Sequence, residues 1–279
     1  MITYRQLVHV FRQLKFDRRN TPVIVHSSLS AFGKVQGGAE TVAGALFAEF
    51  PKLIAPSFTY KTMVVPELGP QRNALEYGKH SDANRMAEFF RPDTPADRLI
   101  GILAETIRAH PSTDRSKHPI LSFTGRGVNG VLTSQDLQEP FAPLYALMDQ
   151  DGWVLLLGVD HRANTSIHLG ERLAGRRTFV RWGLSTEGVQ QCINFPSCSE
   201  GFETITPHVT LITQRLRIGR AQVLALPIRG LVDMTQALIA DNPYALLCKS
   251  DNCPRCRTLR AELETRPLPT LSNQSLLRE

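Results

Sequence analysis

The chain has 279 residues, of which 42% are hydrophobic and 21% are charged, and its net charge is +6. This length can bury a substantial core, and the composition is that of an ordinary globular protein. No apolar run approaches the roughly 20 residues that span a bilayer, so we expect no membrane partner. The basic residues are scattered and form no stripe, which argues against nucleic acid and leaves a polyphosphorylated small molecule as the better anionic partner.

The amino terminus predicts an amphipathic first helix. Residues 1–16 place apolar side chains at helical spacing, but they have no long apolar centre and no small-residue cleavage site. We therefore interpret the segment as part of the fold and expect a cytoplasmic protein. Five cysteines in a chain without a secretory signal favour free thiols or a metal site over a disulfide framework.

Strand and helix patterns alternate along the rest of the chain. A strand over 23–25, a helix over 39–50 and a strand over 53–56 favour a largely parallel sheet covered by helices. The segment 61–95 is rich in proline, glycine and charge, which is typical of a binding loop or lid. The later patterns predict helices over 96–110, from about 165 and over 231–240, and strands over 120–123, 154–157, 177–183 and 221–226. With no repeat and no linker, we expect one α/β domain with a central, mostly parallel sheet, flanking helices and a loop-rich excursion.

The segment 153–171 carries the strongest chemical signal. A buried strand leads to a glycine turn and then to a helix start that either Asn164 or Thr165 can cap. Ligands in open α/β sheets bind beyond the carboxyl ends of strands, where this turn lies. His168 and Glu171 are three residues apart and share one helix face, so the carboxylate can fix the imidazole tautomer for general-base chemistry. Taken alone, such a spacing more often marks a solvated helix face.

Two further segments suit anionic ligand groups. The first is a polar loop between a strand and a helix, rich in backbone N–H groups and followed by Gly33, Gly37 and Gly38. It consists of His26, Ser27, Ser28, Leu29 and Ser30. The second gathers cations and hydroxyls, with Arg115, Ser116, His118 and Ser122 as its candidate ligand contacts. An ordinary strand-to-helix connection and a polar turn are the alternative interpretations of these two segments.

The cysteines near the carboxyl end suggest a metal. Cys248, Cys253 and Cys256 form a C-x4-C-x2-C pattern that suits tetrahedral zinc, provided that the fold supplies a fourth ligand. Cys192, Cys198 and His208 are the candidates for that fourth ligand. Reduced structural thiols are the alternative.

Taken together, these segments resemble the aminoglycoside 3-N-acetyltransferases. The resemblance covers most of residues 3–240 and rests on an ordered set of motifs: VHSSLSAFGKVQGGAETV, APSFTY, DTPADRLIGILAETIR, RSKHPILSF and LLLGVDHRANTSIHLGE, extended by FAPLYAL and CSEGF. It implies a single α/β transferase domain, 1–265, which we expect to be followed by a loose tail, 266–279. It also implies antibiotic resistance through acetyl transfer from acetyl-coenzyme A to the 3-amino group of an aminoglycoside.

The resemblance also assigns roles to residues. It implies that His168 is the catalytic base, that Glu171 is its acidic neighbour, and that the segments around Ser27–Ser30 and Arg115–Ser122 hold coenzyme A. We further expect substrate contacts from four residues: Tyr60, Asp160, His161 and Asn164.

Two departures from the family pattern bear on the substrate. Arg162 stands where family members often carry an acidic residue, and the net charge of +6 is also unfavourable for a polycation. A cation there repels an aminoglycoside unless Asp160 or another acid compensates. A different amine, or coenzyme A binding without turnover, therefore stays open. Gly170 stands where alanine is common, which weakens the helix slightly.

Overall fold

A central mixed sheet organises the molecule in the computed structural model, which describes residues 1–79 and 81–265. Its strand order is β4-β5-β2-β1-β6-β10-β9. A smaller antiparallel sheet has the order β3-β7-β8. The strands are β1 (Val23–Ser27), β2 (Leu53–Pro56), β3 (Met63–Val64), β4 (Asp114–Arg115), β5 (Phe123–Arg126), β6 (Trp153–Leu157), β7 (Phe179–Ser185), β8 (Gly188–Phe195), β9 (Gln214–Ile218) and β10 (Ala221–Pro227).

The parallel part of the sheet is its centre. β1 pairs in parallel with β2 and with β6, whereas the outer strands β4, β5, β9 and β10 pair antiparallel. The central strands are almost wholly apolar because helices cover both of their faces. The register pairs Ser27 with Leu157, so the carboxyl ends of β1 and β6 lie side by side.

Alternate residues of the central strands feed two separate cores. Ile24 and Leu156 pack into the core on one face, whereas Val25 and Leu155 pack into the core on the other. This is the period-two alternation of a strand that is buried on both sides. The helices are α1 (Tyr4–Arg12), α2 (Leu29–Phe32), α3 (Gly38–Glu49), α4 (Ser81–Arg85), α5 (Ile102–Ala109), α6 (Asn129–Thr133), α7 (Ala142–Asp149), α8 (Ser166–Leu173), α9 (Ile228–Asp241) and α10 (Pro254–Thr265).

The α/β class, the flanking helices and the loop-rich excursion are confirmed. The predicted first helix is α1, where Thr3 and Gln6 form a capping box. The excursion over 61–95 holds β3 and α4 as the regular elements among its described residues. No helix in the part of the chain that the structure describes is long and apolar enough to cross a membrane.

Some element predictions were wrong at their boundaries. The helix predicted over 96–110 begins at Ile102, because Gly101 has a φ of 94° that no helix tolerates. The strand predicted over 120–123 is β5, which begins at Phe123. β8, β9, α7 and α10 were not predicted. The tail predicted over 266–279 lies outside the described residues.

Candidate active site

The site lies beyond the carboxyl ends of β1 and β6. β1 runs into the loop that begins α2, and β6 runs through Gly158 toward α8. Gly158 has a φ of 69°, and a Cβ at this position would lie 2.5 Å from the Cβ of Ala31. Glycine is therefore required for the two loops to approach each other.

A large cleft opens between these two loops. Its volume is about 1110 Å³, which exceeds the roughly 300–1,000 Å³ of a typical single-ligand pocket. Among the predicted site residues, the following line it: His26, Ser27, Ser28, Leu29, Ser30, Tyr60, Asp160, Asn164 and His168. The fold thus brings the first anion-binding segment together with the predicted catalytic histidine.

His168 and Glu171 form a buried pair on α8. The His168 Nδ1 lies 2.8 Å from Glu171 Oε2, and the two residues are 9% and 3% exposed. The His168 ring stacks on Phe141 and meets Phe202 edge to face at a centroid distance of 4.7 Å. These contacts fix the ring plane, and they distinguish the pair from a solvated helix face.

Glu171 is held ionised by two further donors. The Arg176 Nη1 and the Ser197 hydroxyl each donate to it at 2.6 Å, and Arg176 also donates to the carbonyls of Pro243 and Ala245. Burial alone raises the pKa of a carboxyl group, but the hydrogen bond from His168 and the charge of Arg176 outweigh it and lower the pKa of Glu171. An ionised Glu171 accepts a hydrogen bond from His168 Nδ1–H, so the lone pair of the neutral ring resides on Nε2.

The connection between β6 and α8 shows how Arg162 is compensated. Arg162 forms a two-pronged ion pair with Asp160, with Nη2 to Oδ2 at 2.6 Å and Nε to Oδ2 at 3.0 Å. The hydrogen bond from Arg162 lowers the pKa of Asp160. Both residues line the rim of the cleft, and their charges cancel locally.

Asn164 and His161 hold this connection in place. Asn164 is fully buried, and its Oδ1 accepts from the Ser166 backbone N–H at 3.2 Å. Thr165 occupies the N-cap position of α8 but makes no side-chain cap hydrogen bond, so the Asn164 side chain satisfies the N–H at the helix start. His161 is also fully buried, bonds Asn164 and lies behind the cleft wall rather than on it. The substrate contact expected from His161 remains a prediction.

The loop after β1 presents hydroxyls to the cleft. The Ser28 and Ser30 hydroxyls lie 3.0 Å apart. Burial, and then the neighbouring His161, lower the pKa of His26 to about 3, so His26 is neutral at physiological pH. Anion binding at this loop would therefore depend on hydroxyls and backbone N–H groups and not on a histidine charge.

The second predicted anion segment engages its side chains within the fold. Arg115 donates to Ser122 Oγ at 3.0 Å and to the carbonyls of Ser57, Pro92 and Thr94. Ser116 bonds Gln135 at 2.5 Å. None of Arg115, Ser116, His118 and Ser122 is among the described residues that line the cleft. Their assignment to coenzyme A stays a prediction.

Three arginines that no sequence motif marks as site residues also line the cleft. Arg98, Arg220 and Arg255 line the cleft and form no ion pair with another described residue. Arg220 lies over Gly33, where a Cβ would be 3.5 Å from its Nε. They come from three distant segments, so no local pattern reveals that they converge.

Gly170 is explained by helix packing. α8 packs against α9, and a Cβ on Gly170 would lie 2.5 Å from the Cβ of Thr235. The close approach that glycine permits sets α8 at its present distance from α9. Gly170 therefore weakens the helix slightly, as the sequence predicts, but the packing of α8 against α9 requires a residue without a Cβ.

The structure adds Cys198 to the three cysteines near the carboxyl end. The Sγ atoms of Cys198, Cys248, Cys253 and Cys256 all lie within 4.8 Å of one another. Cys192 is instead buried in the main core, and His208 is exposed and lies outside this cluster.

Comparison with known proteins gives a consistent family. A family model described as aminoglycoside 3-N-acetyltransferase matches residues 24–240. The SPbeta prophage-derived aminoglycoside N(3')-acetyltransferase-like protein YokD of Bacillus subtilis is 32% identical over 55% of this chain and 59% of its own length. Aminoglycoside N(3)-acetyltransferase VII of Streptomyces paromomycinus is 33% identical over 54% of each chain. The matches thus span a little more than half the length of these two relatives.

Solved structures share the fold. The apoenzyme of aminoglycoside acetyltransferase AAC(3)-IVa superposes with a TM-score of 0.76 at 22% identity, covering 93% of this chain and 97% of that one. A mutant of that enzyme in complex with apramycin has a TM-score of 0.69 at 21% identity, covering 86% of this chain and 93% of that one. AAC-IIIb in a binary complex with CoASH has a TM-score of 0.69 at 19% identity, covering 86% of this chain and 96% of that one.

Proposed function

The chain belongs to the aminoglycoside 3-N-acetyltransferase family, and from this premise we propose that residues 1–265 form an enzyme that transfers acetyl from acetyl-coenzyme A to the 3-amino group of an aminoglycoside. The observation that carries the proposal is the buried His168–Glu171 pair, whose Nδ1–Oε2 distance is 2.8 Å, at the wall of a cleft of about 1110 Å³. A volume above the usual single-ligand range suits a reaction that must hold a cofactor-sized donor and an acceptor together.

The reaction needs one base and no covalent enzyme intermediate. The neutral acceptor amine attacks the thioester carbonyl of acetyl-coenzyme A, and His168 Nε2 takes the proton that the nitrogen loses. The carbon–sulfur bond then breaks, and the coenzyme A thiolate leaves and takes up a proton. Glu171 stabilises the imidazolium that forms in between, because its carboxylate stays ionised in the buried site.

Acetyl-coenzyme A is supported as the donor by the charge distribution of the cleft. Arg98, Arg220 and Arg255 make no ion pair with other described residues, so their charges are available to phosphate groups. The Ser28 and Ser30 hydroxyls and the backbone of that loop supply further donors. The binary complex of AAC-IIIb with CoASH is a precedent on the same fold.

A second candidate function is the same transfer to an amine that is not an aminoglycoside. The Asp160–Arg162 ion pair favours it, because Arg162 neutralises the carboxylate that would otherwise attract a polycation to the rim. Coenzyme A binding without turnover is a third alternative, and the fixed His168–Glu171 geometry argues against it.

The test is release of coenzyme A thiol from acetyl-coenzyme A with a panel of aminoglycosides and simpler amines. We expect turnover with aminoglycosides and a loss of about 10²–10⁴-fold in kcat for His168→Ala, because positioned proton transfer supplies that factor. His208→Ala is the matched control, since this histidine is exposed and lies outside the cleft.

The outcomes separate the candidates. Thiol release with another amine alone would support acetyl transfer but show that an aminoglycoside is not the acceptor. Tight coenzyme A binding in calorimetry, with no transfer to any amine, would show that the protein is not an acetyltransferase. Wild-type turnover in His168→Ala would remove His168 from the mechanism.

A further inference from the structure

Four cysteine thiols converge beside the cleft from three places in the chain. Cys198 follows β8, Cys248 follows α9, and Cys253 and Cys256 lie at the start of α10. All four Sγ atoms lie within 4.8 Å of one another, and none of these cysteines is in a disulfide. Four thiolates around a tetrahedral zinc ion, with Zn–S bonds of about 2.3 Å, lie about 3.8 Å apart, so the thiols need only small shifts to enclose the ion.

The packing of this cluster differs from that of an ordinary buried cysteine. Cys192 packs within the main apolar core, as a small hydrophobic side chain does. The other four cysteines pack with one another and with Leu247. Side chains that face each other in this way present their sulfur atoms to a common centre.

The local backbone also matches a metal knuckle. Cys253 and Cys256 flank Pro254, which occupies the first position of α10. The Arg257 backbone N–H donates to the Cys253 carbonyl at 2.9 Å and begins the helix there. The two thiols are thus separated by two residues at a helix start, which is the spacing of structural zinc sites.

We infer that Cys198, Cys248, Cys253 and Cys256 bind one zinc ion as a structural site. Four protein ligands complete a tetrahedron and leave no open position for a substrate or a water molecule, so the ion stabilises the fold and does not take part in the reaction. This goes beyond the proposed acetyl transfer and does not depend on it.

The site joins the carboxyl-terminal segment to the support of the catalytic pair. Cys198 directly follows Ser197, whose hydroxyl donates to Glu171 at 2.6 Å. Arg255 lies between two of the ligands, lines the cleft and donates to the Ser197 carbonyl at 2.9 Å. A zinc ion at the cluster therefore fixes Ser197 and Arg255 relative to each other. Ser197 acts as a positioning residue for Glu171, and Arg255 connects the cysteine cluster to the cleft.

The test is the metal content of the full chain after purification without chelator. The metal is measured by inductively coupled plasma mass spectrometry. We expect about one zinc per chain in the wild type and in Cys192→Ala, and a fall to below about one-fifth in Cys248→Ser. Cys192→Ala is the matched control because that cysteine is also buried but lies outside the cluster.

Two measurements cover the case in which Cys248→Ser does not fold. Wild-type protein exchanged with Co²⁺ should show the intense visible absorption of tetrahedral cobalt thiolate, and a zinc chelator should lower the wild-type Tm by at least about 4 °C. One equivalent of iron in place of zinc would overturn the assignment. So would a metal-free wild type that binds no cobalt and whose Tm the chelator leaves unchanged.

Discussion

Two buried histidines, His168 and His118, lie in the same molecule and have opposite hydrogen-bonding arrangements. His168 Nδ1 faces the carboxylate of Glu171 and so carries the proton, which leaves Nε2 with its lone pair at the cleft. His118 Nδ1 accepts from the backbone N–H groups of Ile120 and Leu121, so the proton is on Nε2. Burial therefore does not distinguish the proposed base from the other histidine. The partner of Nδ1 does, because that partner decides which ring nitrogen can accept a proton.

The largest expected effect comes from removing the charge that orients His168. Glu171→Gln should lower kcat by about 10²–10⁴-fold, because the amide no longer stabilises the imidazolium and can hold the ring in the wrong tautomer. It also leaves Arg176 buried without its ion-pair partner, so the free energy of unfolding should fall by about 3–5 kcal/mol. Turnover per folded molecule is the measurement that separates these two losses.

Glu139→Gln is the matched control for that variant. Glu139, which precedes α7, pairs with Arg172 of α8 at 2.6 Å, but both side chains are about a quarter exposed and neither lines the cleft. We expect kcat within about twofold of the wild type, since partly exposed ion pairs contribute little. A loss in Glu139→Gln equal to that in Glu171→Gln would show that α8 responds to any lost charge.

The second effect is on stability and comes from His118. Burial lowers its pKa from 6.5 to about 4. Between these two pH values the unfolded chain binds a proton at this histidine and the folded chain does not. The part of the free energy of unfolding that depends on a neutral His118 is therefore fully present above about pH 6.5 and is lost as the pH falls toward 4. From about pH 7.5 to about pH 5, His118 should account for a loss of about 2 kcal/mol in the free energy of unfolding.

His118→Asn tests this linkage by urea unfolding at both pH values. The Asn carbonyl can accept from the Ile120 and Leu121 N–H groups but does not titrate, so the pH dependence should weaken by about 2 kcal/mol. His26, whose pKa burial lowers to about 3, keeps its own contribution in the variant. If the free energy of unfolding depends on pH in the variant as it does in the wild type, His118 is not buried in its neutral form.

The third effect is the cost of an extra methyl group where α8 meets α9. Gly170→Ala should lower the free energy of unfolding by about 1–3 kcal/mol, because the new Cβ would lie 2.5 Å from the Cβ of Thr235. Gly130→Ala on α6 is the control. It has no atom within 4 Å of the new Cβ and should leave stability equal or raised by up to about 1 kcal/mol. Equal Tm values for the two variants would contradict the packing argument.

Much of the fold could be predicted because its centre obeys local rules. β1, β2 and β6 are short apolar runs bounded by turn residues, and their period and order predict parallel strands buried on both faces. β8 and β9 were missed because most of their positions are exposed or only half-buried, so their apolar alternation is weak in the sequence. α10 was missed because its mean hydropathy is low. Only two of its residues, Cys256 and Leu259, are buried, so it has no clear apolar face in the sequence.

The residues of the site likewise fall into those that a local pattern predicts and those that only the tertiary fold brings together. His168 and Glu171 could be named because three residues on one helix fix their separation. Arg176 and Ser197 could not, since each reaches Glu171 only through the tertiary fold. Cys198 could be named only as one of three candidates for a fourth zinc ligand, because the tertiary fold alone joins it to Cys248 across 50 residues of sequence.

The most direct test replaces each of the two histidines by asparagine. The kcat and the free energy of unfolding of His168→Asn and His118→Asn are measured side by side at about pH 7.5. We expect His168→Asn to lose about 10²–10⁴-fold in kcat with little change in stability, and His118→Asn to keep the wild-type kcat per folded molecule. Equal losses of kcat in the two variants, or full activity in His168→Asn, would contradict the claim that the Glu171 partnership makes His168 the base.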